Sequence, residues 1–336
     1  MSDFVSWSYS TVNTLKQCNR KYYFASVLAT HGRKVPLRRK AYELRCMQNL
    51  QMWRGSVVDK FMELMVIPAI RDKKELDFEM LSNQAVEMAA TQFKYSQNQF
   101  YKNPEQKKGD VDSSFCILNI HEVNMPFQES ELVESYSIIK EAIKNIPTIQ
   151  MPDGKLLIDF LKECNGLTPN VNNYIVEIEG TRLKPQMDLL AMSNWKPVVI
   201  DWKLSASYTS DYSRQLIICG LTVYLKRQQR TDKPAYIYED IKLYEVNLLK
   251  CQVKEHEFIA DRINEVIDYM TLTSRDIRLL TKSDDKEIDI ENFELTDDEG
   301  LCATCNFQTL CSYLLINNNQ YDEKSYIESV QNTQLV

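Results

Sequence analysis

Alternating hydrophobic and polar residues between Pro197 and Ser205 form the clearest pattern in this chain of 336 residues. One face carries Val198, Ile200 and Trp202, and the other carries Val199, Asp201 and Lys203. Successive side chains of a strand point to opposite faces. The pattern therefore predicts a β-strand on which Asp201 and Lys203 point to the same side.

A second strand is predicted just upstream, around residues 183–192, and it contains Asp188. The residues between the two strands, Ser193-Asn194-Trp195-Lys196, favour a tight turn and are followed by a proline. If the hairpin folds about the middle of this turn, residues whose numbers add up to 389 face each other, and Asp188 faces Asp201. Directly opposed residues have Cβ atoms about 4.5–5.5 Å apart.

Two facing carboxylates repel each other, and a divalent cation is the obvious counter-charge. Mg²⁺ prefers one or two carboxylates together with waters and substrate phosphates. Lys203, two residues along on the same face, would orient or deprotonate a water and stabilise developing negative charge. The alternative interpretation is an amphipathic hairpin with a surface salt bridge.

Other stretches show the periodicity of helices. It predicts helices at residues 85–93, 131–146 and 257–280, and one or two strands at residues 236–248. From residue 68 to 173 the chain is polar and mostly helical, without repeats. We interpret this stretch as a helical insertion.

Composition places the chain among globular proteins, because 44% of its residues are hydrophobic. No apolar run approaches the roughly 20 residues that cross a bilayer. The N-terminus lacks the basic and apolar regions of a signal peptide. We therefore expect a cytoplasmic protein without membrane contact, whose nine cysteines are not a disulfide framework.

Charge is unevenly distributed along the chain. The net charge is −7, but residues 284–299 alone contribute −8, with nine acids and one lysine. Elsewhere, a basic group comprises His31, Arg33, Lys34, Arg38, Arg39, Lys40 and Arg45. Such a group could follow a phosphate backbone, or it could belong to a solvated loop.

Three cysteines near the C-terminus are spaced as C-x2-C-x5-C, at Cys302, Cys305 and Cys311. Thiolates this close in sequence chelate well, because closing short loops costs little chain entropy. A complete site needs a fourth ligand. By chemistry alone, zinc is the better candidate.

The hairpin resembles the PD-(D/E)XK nuclease superfamily: Asp188 matches the first acidic residue, and Asp201-Trp202-Lys203 matches the (D/E)-x-K element. The resemblance implies an α/β (α+β) fold of the restriction-endonuclease type, with a central mixed sheet flanked by helices. It also implies two catalytic carboxylates that bind Mg²⁺ or Mn²⁺, and a catalytic lysine. Pro185 departs from the glycine that the family usually has ahead of the aspartate.

The N-terminal part is similar to RecB-like and AddB-like nucleases that carry an iron–sulfur cluster. A helix is predicted through residues 8–24, and Cys18 with the R-K-Y-Y-F sequence after it matches the first cluster ligand of those proteins; Asn19 replaces their proline. The resemblance implies that Cys18, Cys302, Cys305 and Cys311 hold a 4Fe-4S cluster that staples the two ends of the chain together. Zinc remains the alternative.

Two further positions follow from the same resemblance. Asp59, four residues after Gly55, occupies the position of a metal-binding histidine, and it is either a third metal ligand or a polar residue on a helix surface. Gln215 matches a glutamine beside the active site, whereas Cys219 replaces the tyrosine that follows it in the family.

The resemblance implies a metal-dependent DNA nuclease, acting as an exonuclease on single-stranded DNA or DNA ends. CRISPR-associated spacer-trimming nucleases and recombination subunits are similar, so protein partners in those processes are implied as well. The rival interpretations are an inactive nuclease fold that only binds DNA, and a zinc-stapled protein-interaction module.

The sequence predicts four segments. They are residues 1–66 with the first cluster cysteine, the helical insertion at 67–173, the nuclease core at 174–281, and an acidic linker with the cysteine-rich segment at 282–336.

Overall fold

The computed structural model describes residues 5–103, 109, 111–204, 211–282 and 288–333. Ser205 of the predicted strand and residues 284–287 of the acidic run lie outside these ranges. The chain forms two compact units. Unit 1 comprises Met1–Tyr9, Gln51–Ala89 and Glu129–Arg278, and unit 2 comprises Ser10–Leu50, Ala90–Gln128 and Leu279–Val336.

Among the described residues, ten strands form three sheets. They are β1 (Val5–Trp7), β2 (Met47–Gln48), β3 (Ile117–Leu118), β4 (Gly166–Val171), β5 (Val176–Ile178), β6 (Thr181–Leu183), β7 (Met187–Ser193), β8 (Lys196–Lys203), β9 (Lys242–Asn247) and β10 (Gln252–His256). The largest sheet has the order β10-β9-β8-β7-β4 and lies in unit 1, as does the three-stranded sheet β1-β6-β5. Strands β2 and β3 pair in unit 2.

The five-stranded sheet is mixed: β8 and β9 run parallel, and the other neighbours run antiparallel. Parallel strands need a crossover connection, usually helical, and a helix between β8 and β9 provides it. This arrangement of a mixed sheet with helices confirms the predicted α/β (α+β) fold class.

Fourteen α-helices complete the described secondary structure. They are α1 (Tyr9–Gln17), α2 (Asn19–Tyr22), α3 (Pro36–Cys46), α4 (Leu50–Phe61), α5 (Ile67–Arg71), α6 (Phe78–Gln97), α7 (Asn119–Glu122), α8 (Glu129–Asn145), α9 (Leu157–Glu163), α10 (Ser213–Gln228), α11 (Ala260–Thr281), α12 (Glu299–Ala303), α13 (Gln308–Ile316) and α14 (Glu323–Thr333). Two stretches, Tyr23–Leu28 and Met62–Val66, are π-helical. No described helix is both long and apolar enough to cross a bilayer.

Helix α10 packs closely on the five-stranded sheet and buries every residue from Leu216 to Val223. Gly220 permits this approach. A Cβ atom there would lie 3.0 Å from side-chain atoms of both Leu243 and Phe258. The helix is thereby fixed against β9, and its first turn is placed beside the end of β8.

Unit 2 has its own aromatic core. Phe24 and Phe307 stack with ring centroids 5.5 Å apart, and Tyr313 packs edge-on against Tyr326 at 5.4 Å. Asn306 donates hydrogen bonds to the carbonyl oxygens of Leu44 and Met47. These contacts hold the segment that carries the last three cysteines against the helices that follow Cys18.

The structure differs from the sequence expectations in several places, among them the short strand β3, which lies within the stretch interpreted as a helical insertion. The predicted helix through residues 8–24 is interrupted at Cys18, whose backbone is extended and whose side chain caps α2. Strand β4 lies within the stretch interpreted as a helical insertion, and β10 was not predicted. Propensity alone missed β4 and β10 because both are short and their residues are mixed, and pairing with long-range neighbours is what stabilises them.

The basic group around residues 31–45 is partly neutralised within unit 2. The Lys40 ammonium lies 2.7 Å from Glu122 and 3.0 Å from Glu43, and Arg39 also pairs with Glu43. The Arg33 guanidinium lies 3.7 Å from the centre of the Tyr42 ring. Several of these cations therefore have internal partners, which leaves less charge for contact with a phosphate backbone.

Candidate active site

The hairpin of β7 and β8 sets the geometry of the candidate active site. Asn194 and Trp195 have φ values of +50° and +64°, which make a two-residue turn with both central residues left-handed. The paired residues run from Ser193 with Lys196 to Leu189 with Ile200, and each pair adds up to 389 as predicted. The next pair in this register is Asp188 and Asp201.

Asp188 stands where the ladder between β7 and β8 ends. Its Oδ2 atom accepts a hydrogen bond of 2.9 Å from the backbone N–H of Trp202. The charge of Asp201 is one of the causes that raise the pKa of Asp188, so the two carboxyl groups are neighbours. The structure therefore brings both predicted acids to one place.

Asp201 is buried, with 5% of its surface exposed. Its Oδ1 atom accepts a hydrogen bond of 3.0 Å from Nε2 of Gln215, in the first turn of α10. Its Oδ2 atom lies 2.5 Å from Nζ of Lys203. This second contact is an ion pair without hydrogen-bond geometry, so Oδ2 remains a buried acceptor with no hydrogen bond among the described residues.

Asp59 reaches the same place from α4. Its charge acts on the pKa of Asp188, and the charges of Asp201 and Lys203 act on the pKa of Asp59. The Asp59 side chain is open to solvent, yet burial among protein atoms is the largest cause of its raised pKa. An acid that lines an open recess has both properties. We call Asp59, Asp188, Asp201, Lys203 and Gln215 the carboxylate site.

Burial and mutual repulsion dominate the electrostatics of this site. Burial raises the pKa of Asp188 well above its usual value, and the charges of Asp201 and Asp59 raise it further. Burial also raises the pKa of Asp201, against the opposing charge of Lys203. Burial alone would lower the pKa of Lys203, but the charges of Asp201 and Asp188 outweigh it and raise that pKa. The lysine is thus held as a cation among acids that resist ionisation.

Three residues of this neighbourhood have no counterpart in the sequence expectations. The Lys203 ammonium lies 4.2 Å from the centre of the Tyr212 ring. Glu245 pairs in register with Asp201 across the parallel strands β8 and β9, and its Oε2 atom lies 3.0 Å from Nε2 of His256. The short run of mixed residues in β9 gave no clear signal for Glu245. The position of Tyr212 depends on the chain path before α10, which the sequence does not reveal.

The departures from the family pattern lie around the site without disrupting it. Pro185 lies between β6 and β7 and removes no ladder hydrogen bond. Cys219 is buried, and burial followed by the charges of Asp201 and Asp188 raises its pKa. Tyr224 instead contacts Tyr238, with ring centroids 4.8 Å apart. The aromatic residue beside Lys203 therefore comes from Tyr212.

The carboxylate site fits a hard cation better than a soft one. Among the described residues, no group of three or more His, Cys, Asp or Glu side chains is arranged to hold a metal ion by itself. Mg²⁺ does not need such a group, because it is commonly held by one or two carboxylates and completes its shell with waters and phosphates. The buried Oδ2 atom of Asp201, which accepts no hydrogen bond, is suited to that role.

The four cysteines predicted to act together all lie in unit 2, and in this structure they are not arranged as a ready-made metal site either. The thiols of Cys18, Cys302 and Cys305 all act on the pKa of Cys311, although burial is the main reason that this pKa rises to about 11. Two backbone N–H groups point at sulfur: Lys21 N–H donates to Cys18 Sγ at 3.4 Å, and Phe307 N–H donates to Cys305 Sγ at 3.4 Å. We call Cys18, Cys302, Cys305 and Cys311 the cysteine group.

A mixed sheet with a parallel crossover helix, and two acids and a lysine at the end of one hairpin, define the restriction-endonuclease-like class of protein. A sequence model of the PD-(D/E)XK nuclease superfamily matches residues 6–312, and the chain belongs to that superfamily. No curated protein sequence matches the chain significantly. Members of the superfamily commonly use Mg²⁺ or Mn²⁺, and membership implies hydrolysis of phosphodiester bonds in nucleic acid.

Proposed function

We propose that this protein is a metal-dependent deoxyribonuclease, acting as an exonuclease on single-stranded DNA or on DNA ends. The meeting of Asp188, Asp201, Lys203 and Gln215 at the end of one hairpin carries this proposal. Two acids that resist ionisation, with a cation beside them, are an arrangement found at functional sites more often than at structural ones.

Asp188 and Asp201 would hold Mg²⁺ or Mn²⁺, with Asp59 as a third oxygen ligand from α4. When bound, such an ion activates water and stabilises negative charge on the phosphate. The backbone N–H of Trp202 fixes Asp188, and the side-chain amide of Gln215 fixes Asp201. Both carboxylates are therefore oriented before any cation arrives.

Lys203 has two roles in this proposal. Its ammonium group orients the attacking water and stabilises the charge that develops on the phosphate. Its raised pKa keeps it protonated near neutral pH, so it acts as a cation and hydrogen-bond donor. Gln215 retains a carbonyl oxygen and a second amide hydrogen that can orient a water or a phosphate.

We further propose that the cysteine group holds a 4Fe-4S cluster with a structural role. Hydrogen bonds from backbone N–H groups to sulfur, as at Cys18 and Cys305, stabilise thiolates around a metal and influence cluster potential. Arg20 adds a buried guanidinium whose charge acts on Cys311, and its Nε atom has no hydrogen-bond partner among the described residues. Its single positive charge would offset part of the negative charge of four thiolates.

Zinc is the other ligand that suits four thiolates, and metal analysis separates the two. An anaerobically purified protein is expected to be brown and to contain about four iron atoms per chain. A colourless protein with one zinc atom per chain would replace the cluster by a zinc site and would leave the proposed nuclease activity in place.

The nuclease proposal is tested with single-stranded DNA labelled at either end, in the presence of Mn²⁺. Wild type is expected to release labelled nucleotides, and Asp201→Ala and Lys203→Ala are each expected to reduce the rate by about 100-fold or more. Asp159→Asn, an exposed acid on α9, is the control and should match wild type. Equal degradation by all four proteins would refute the assignment of these residues.

A circular single-stranded substrate tests whether an end is needed. An exonuclease leaves the circle intact and degrades the same sequence once it is linear. Cleavage of both forms at equal rates would show an endonuclease and would correct this part of the proposal.

A further inference from the structure

A groove in unit 1 lies at the turn end of the β7–β8 hairpin, apart from the carboxylate site. Its volume is about 850 Å³. Leu190, Met192, Pro197 and Val223 form its apolar floor, and three aromatic residues, Tyr174, Trp195 and Tyr236, stand around it. The remaining lining residues are polar or cationic apart from Pro234. We call this feature the turn groove.

Trp195 is unusual both in exposure and in backbone conformation. It is 73% exposed, whereas Trp7, Trp53 and Trp202 are each at most 4% exposed. It also occupies, at φ +64°, the second central position of a turn that strongly favours glycine there. A bulky residue in the left-handed region is strained. Neither solvent exposure nor turn geometry favours tryptophan here, so the stability of the hairpin does not account for it.

Cations dominate the charged lining of the turn groove. They are Lys226, Arg227, Arg230 and Lys233, and no acid is among the lining residues. Arg227 stacks on Tyr236 at 4.5 Å from the ring centre. Arg230 forms an exposed ion pair with Asp232 at 2.7 Å, a contact that salt and competing phosphates weaken readily. The groove therefore has a positive rim that suits a polyanion.

The turn groove and the carboxylate site lie on the same face of the sheet. Met192, Leu190 and Asp188 are two residues apart along β7, so their side chains point to one side. Pro197 and Asp201 occupy the matching positions of β8, where Met192 pairs with Pro197. Helix α10 links the two places, with Gln215 near its start and Lys226 near its end, roughly 17 Å apart along the helix.

We propose that the turn groove binds single-stranded DNA, with a base stacked on Trp195 and the adjoining phosphates held by Lys226, Arg230 and Lys233. This inference rests on the proposed nuclease function, for which the groove would anchor the substrate at the far end of α10 from Gln215. Exposed aromatic rings beside a positive groove bind single strands without sequence preference, because every base has a π-face. A folded peptide partner or an apolar ligand would not require the four cations.

Intrinsic fluorescence gives a direct test, because Trp195 is the exposed tryptophan and Trp7, Trp53 and Trp202 are buried. The binding experiment uses full-length Asp201→Asn protein, so that the DNA is not degraded. Oligothymidine is expected to quench the fluorescence, and Trp195→Gly is expected to remove the quenching. The same change should weaken binding about tenfold or more, as measured by anisotropy of labelled oligothymidine.

Trp195→Gly also separates binding from folding. Glycine fits the left-handed turn position without strain, so the melting temperature is expected to equal or exceed that of the parent. Unchanged DNA affinity in a folded Trp195→Gly protein would overturn the proposal. An unfolded variant is not expected; should it occur, Trp195→Ser and the charge variants below apply the same criterion.

Charge reversal provides an independent measurement. Lys226→Glu with Lys233→Glu is expected to weaken binding of oligothymidine and to reduce its dependence on salt concentration. Lys73→Glu with Lys74→Glu makes the same change in net charge on exposed residues outside the groove, and it should have a smaller effect on both. Equal effects of the two double variants would show that DNA is attracted by net charge alone and does not bind in the groove. That result would overturn the proposal.

Substrate length distinguishes failure of this inference from failure of the proposed function. A labelled trinucleotide is too short to occupy both places, so the turn-groove variants should cleave it at the wild-type rate. They should cleave a long oligonucleotide more slowly through a higher KM. Absence of cleavage in wild type would refute the nuclease function, whereas wild-type KM values for the long substrate in Trp195→Gly would refute only the anchor.

Discussion

The carboxylate site and the cysteine group are built in opposite ways. The register of a hairpin and the first turn of α10 position the carboxylates, and hydrogen bonds from Trp202 and Gln215 orient them. The cysteine group lies on short helices and turns, and N–H groups of Lys21 and Phe307 are its hydrogen-bond donors. The first site is formed by the fold before a cation binds.

A bound metal would stabilise the two sites for different reasons. At the carboxylate site the fold holds like charges together, so a cation would relieve a cost that the fold already bears. At the cysteine group, a metal would supply the cross-links that the short helices lack. Metal loss should therefore raise electrostatic strain in unit 1 and loosen the packing of unit 2.

The largest expected effect is at the cysteine group. Cys305→Ser is expected to lower the bound iron or zinc to background and to make unit 2 sensitive to proteases, because structural metals contribute about 10 kcal/mol or more to small folds. Limited proteolysis and metal analysis measure this. Cys46→Ser, which removes a thiol in the same unit whose interaction is with Tyr42, should keep the metal and the resistance. Full metal content in Cys305→Ser would show that this sulfur is not a ligand.

The next effect concerns metal and pH at the carboxylate site. Because the pKa values of Asp188 and Asp201 are raised in the folded chain, the folded state binds protons that the unfolded state releases. Without metal, stability should therefore fall as pH rises from about 4. Mn²⁺ competes with those protons, so its stabilisation should grow with pH and reach about 2.7 kcal/mol at a hundredfold excess over Kd.

Thermal melts with and without Mn²⁺ at several pH values measure this dependence. Burial is the main reason that the pKa of Asp59 is raised to about 7. The pH range over which the metal-free protein loses stability therefore extends to neutral pH. Asp201→Asn should show little shift with Mn²⁺ at any pH. A shift that is as large at pH 5 as at pH 8 would contradict competition between protons and metal.

A smaller effect is expected from Asp188→Asn in metal-free protein. The amide keeps an oxygen that can accept the Trp202 N–H but removes one negative charge. The variant should be more stable than wild type at pH 8, because burial and the charges of Asp201 and Asp59 disfavour ionised Asp188, and it should lose activity. Denaturant unfolding provides the comparison, with Asp159→Asn as the neutral control. If Asp188→Asn protein is folded but less stable than wild type, repulsion between the carboxylates is not the main factor that lowers the stability of the metal-free site.

The smallest expected effect is at Tyr212. A cation over an aromatic ring gains about 0.5–2 kcal/mol, so Tyr212→Leu should lower kcat by roughly twofold to thirtyfold through a less well-placed Lys203. Tyr212→Phe keeps the ring and should retain most of the activity. If Tyr212→Phe is as slow as Tyr212→Leu, the hydroxyl group matters more than the ring.

The hairpin was predictable because its information is local. The alternation of apolar and polar residues predicted β8. The turn residues predicted the register of the hairpin, and the observed pairs, from Leu189 with Ile200 to Ser193 with Lys196, follow that register. The interruption at Cys18 was not predictable, since the cap of α2 depends on a side-chain contact that helical periodicity does not detect. The same limit applies to Glu245, which the parallel pairing of β8 and β9 places beside Asp201, and to His256, which contacts Glu245 from β10.

The site residues were predictable mainly by resemblance, and the structure adds their immediate contacts. Asp59 and Gln215 come from different helices, and no spacing rule alone would have grouped them with Asp188. Tyr212 was missed because the family pattern directs attention to position 219, which holds a buried cysteine. The structure shows that an aromatic neighbour of Lys203 is supplied from seven positions earlier.

The alternation of side chains along β8 restricts which insertions and deletions this strand can accept. A deletion or insertion of one residue between Pro197 and Asp201 would exchange the two sides of the strand. Asp201 and Lys203 would then enter the layer that now holds Ile200 and Trp202, away from α10. Evolution can therefore replace side chains in this stretch, but insertions and deletions there must come in pairs of residues.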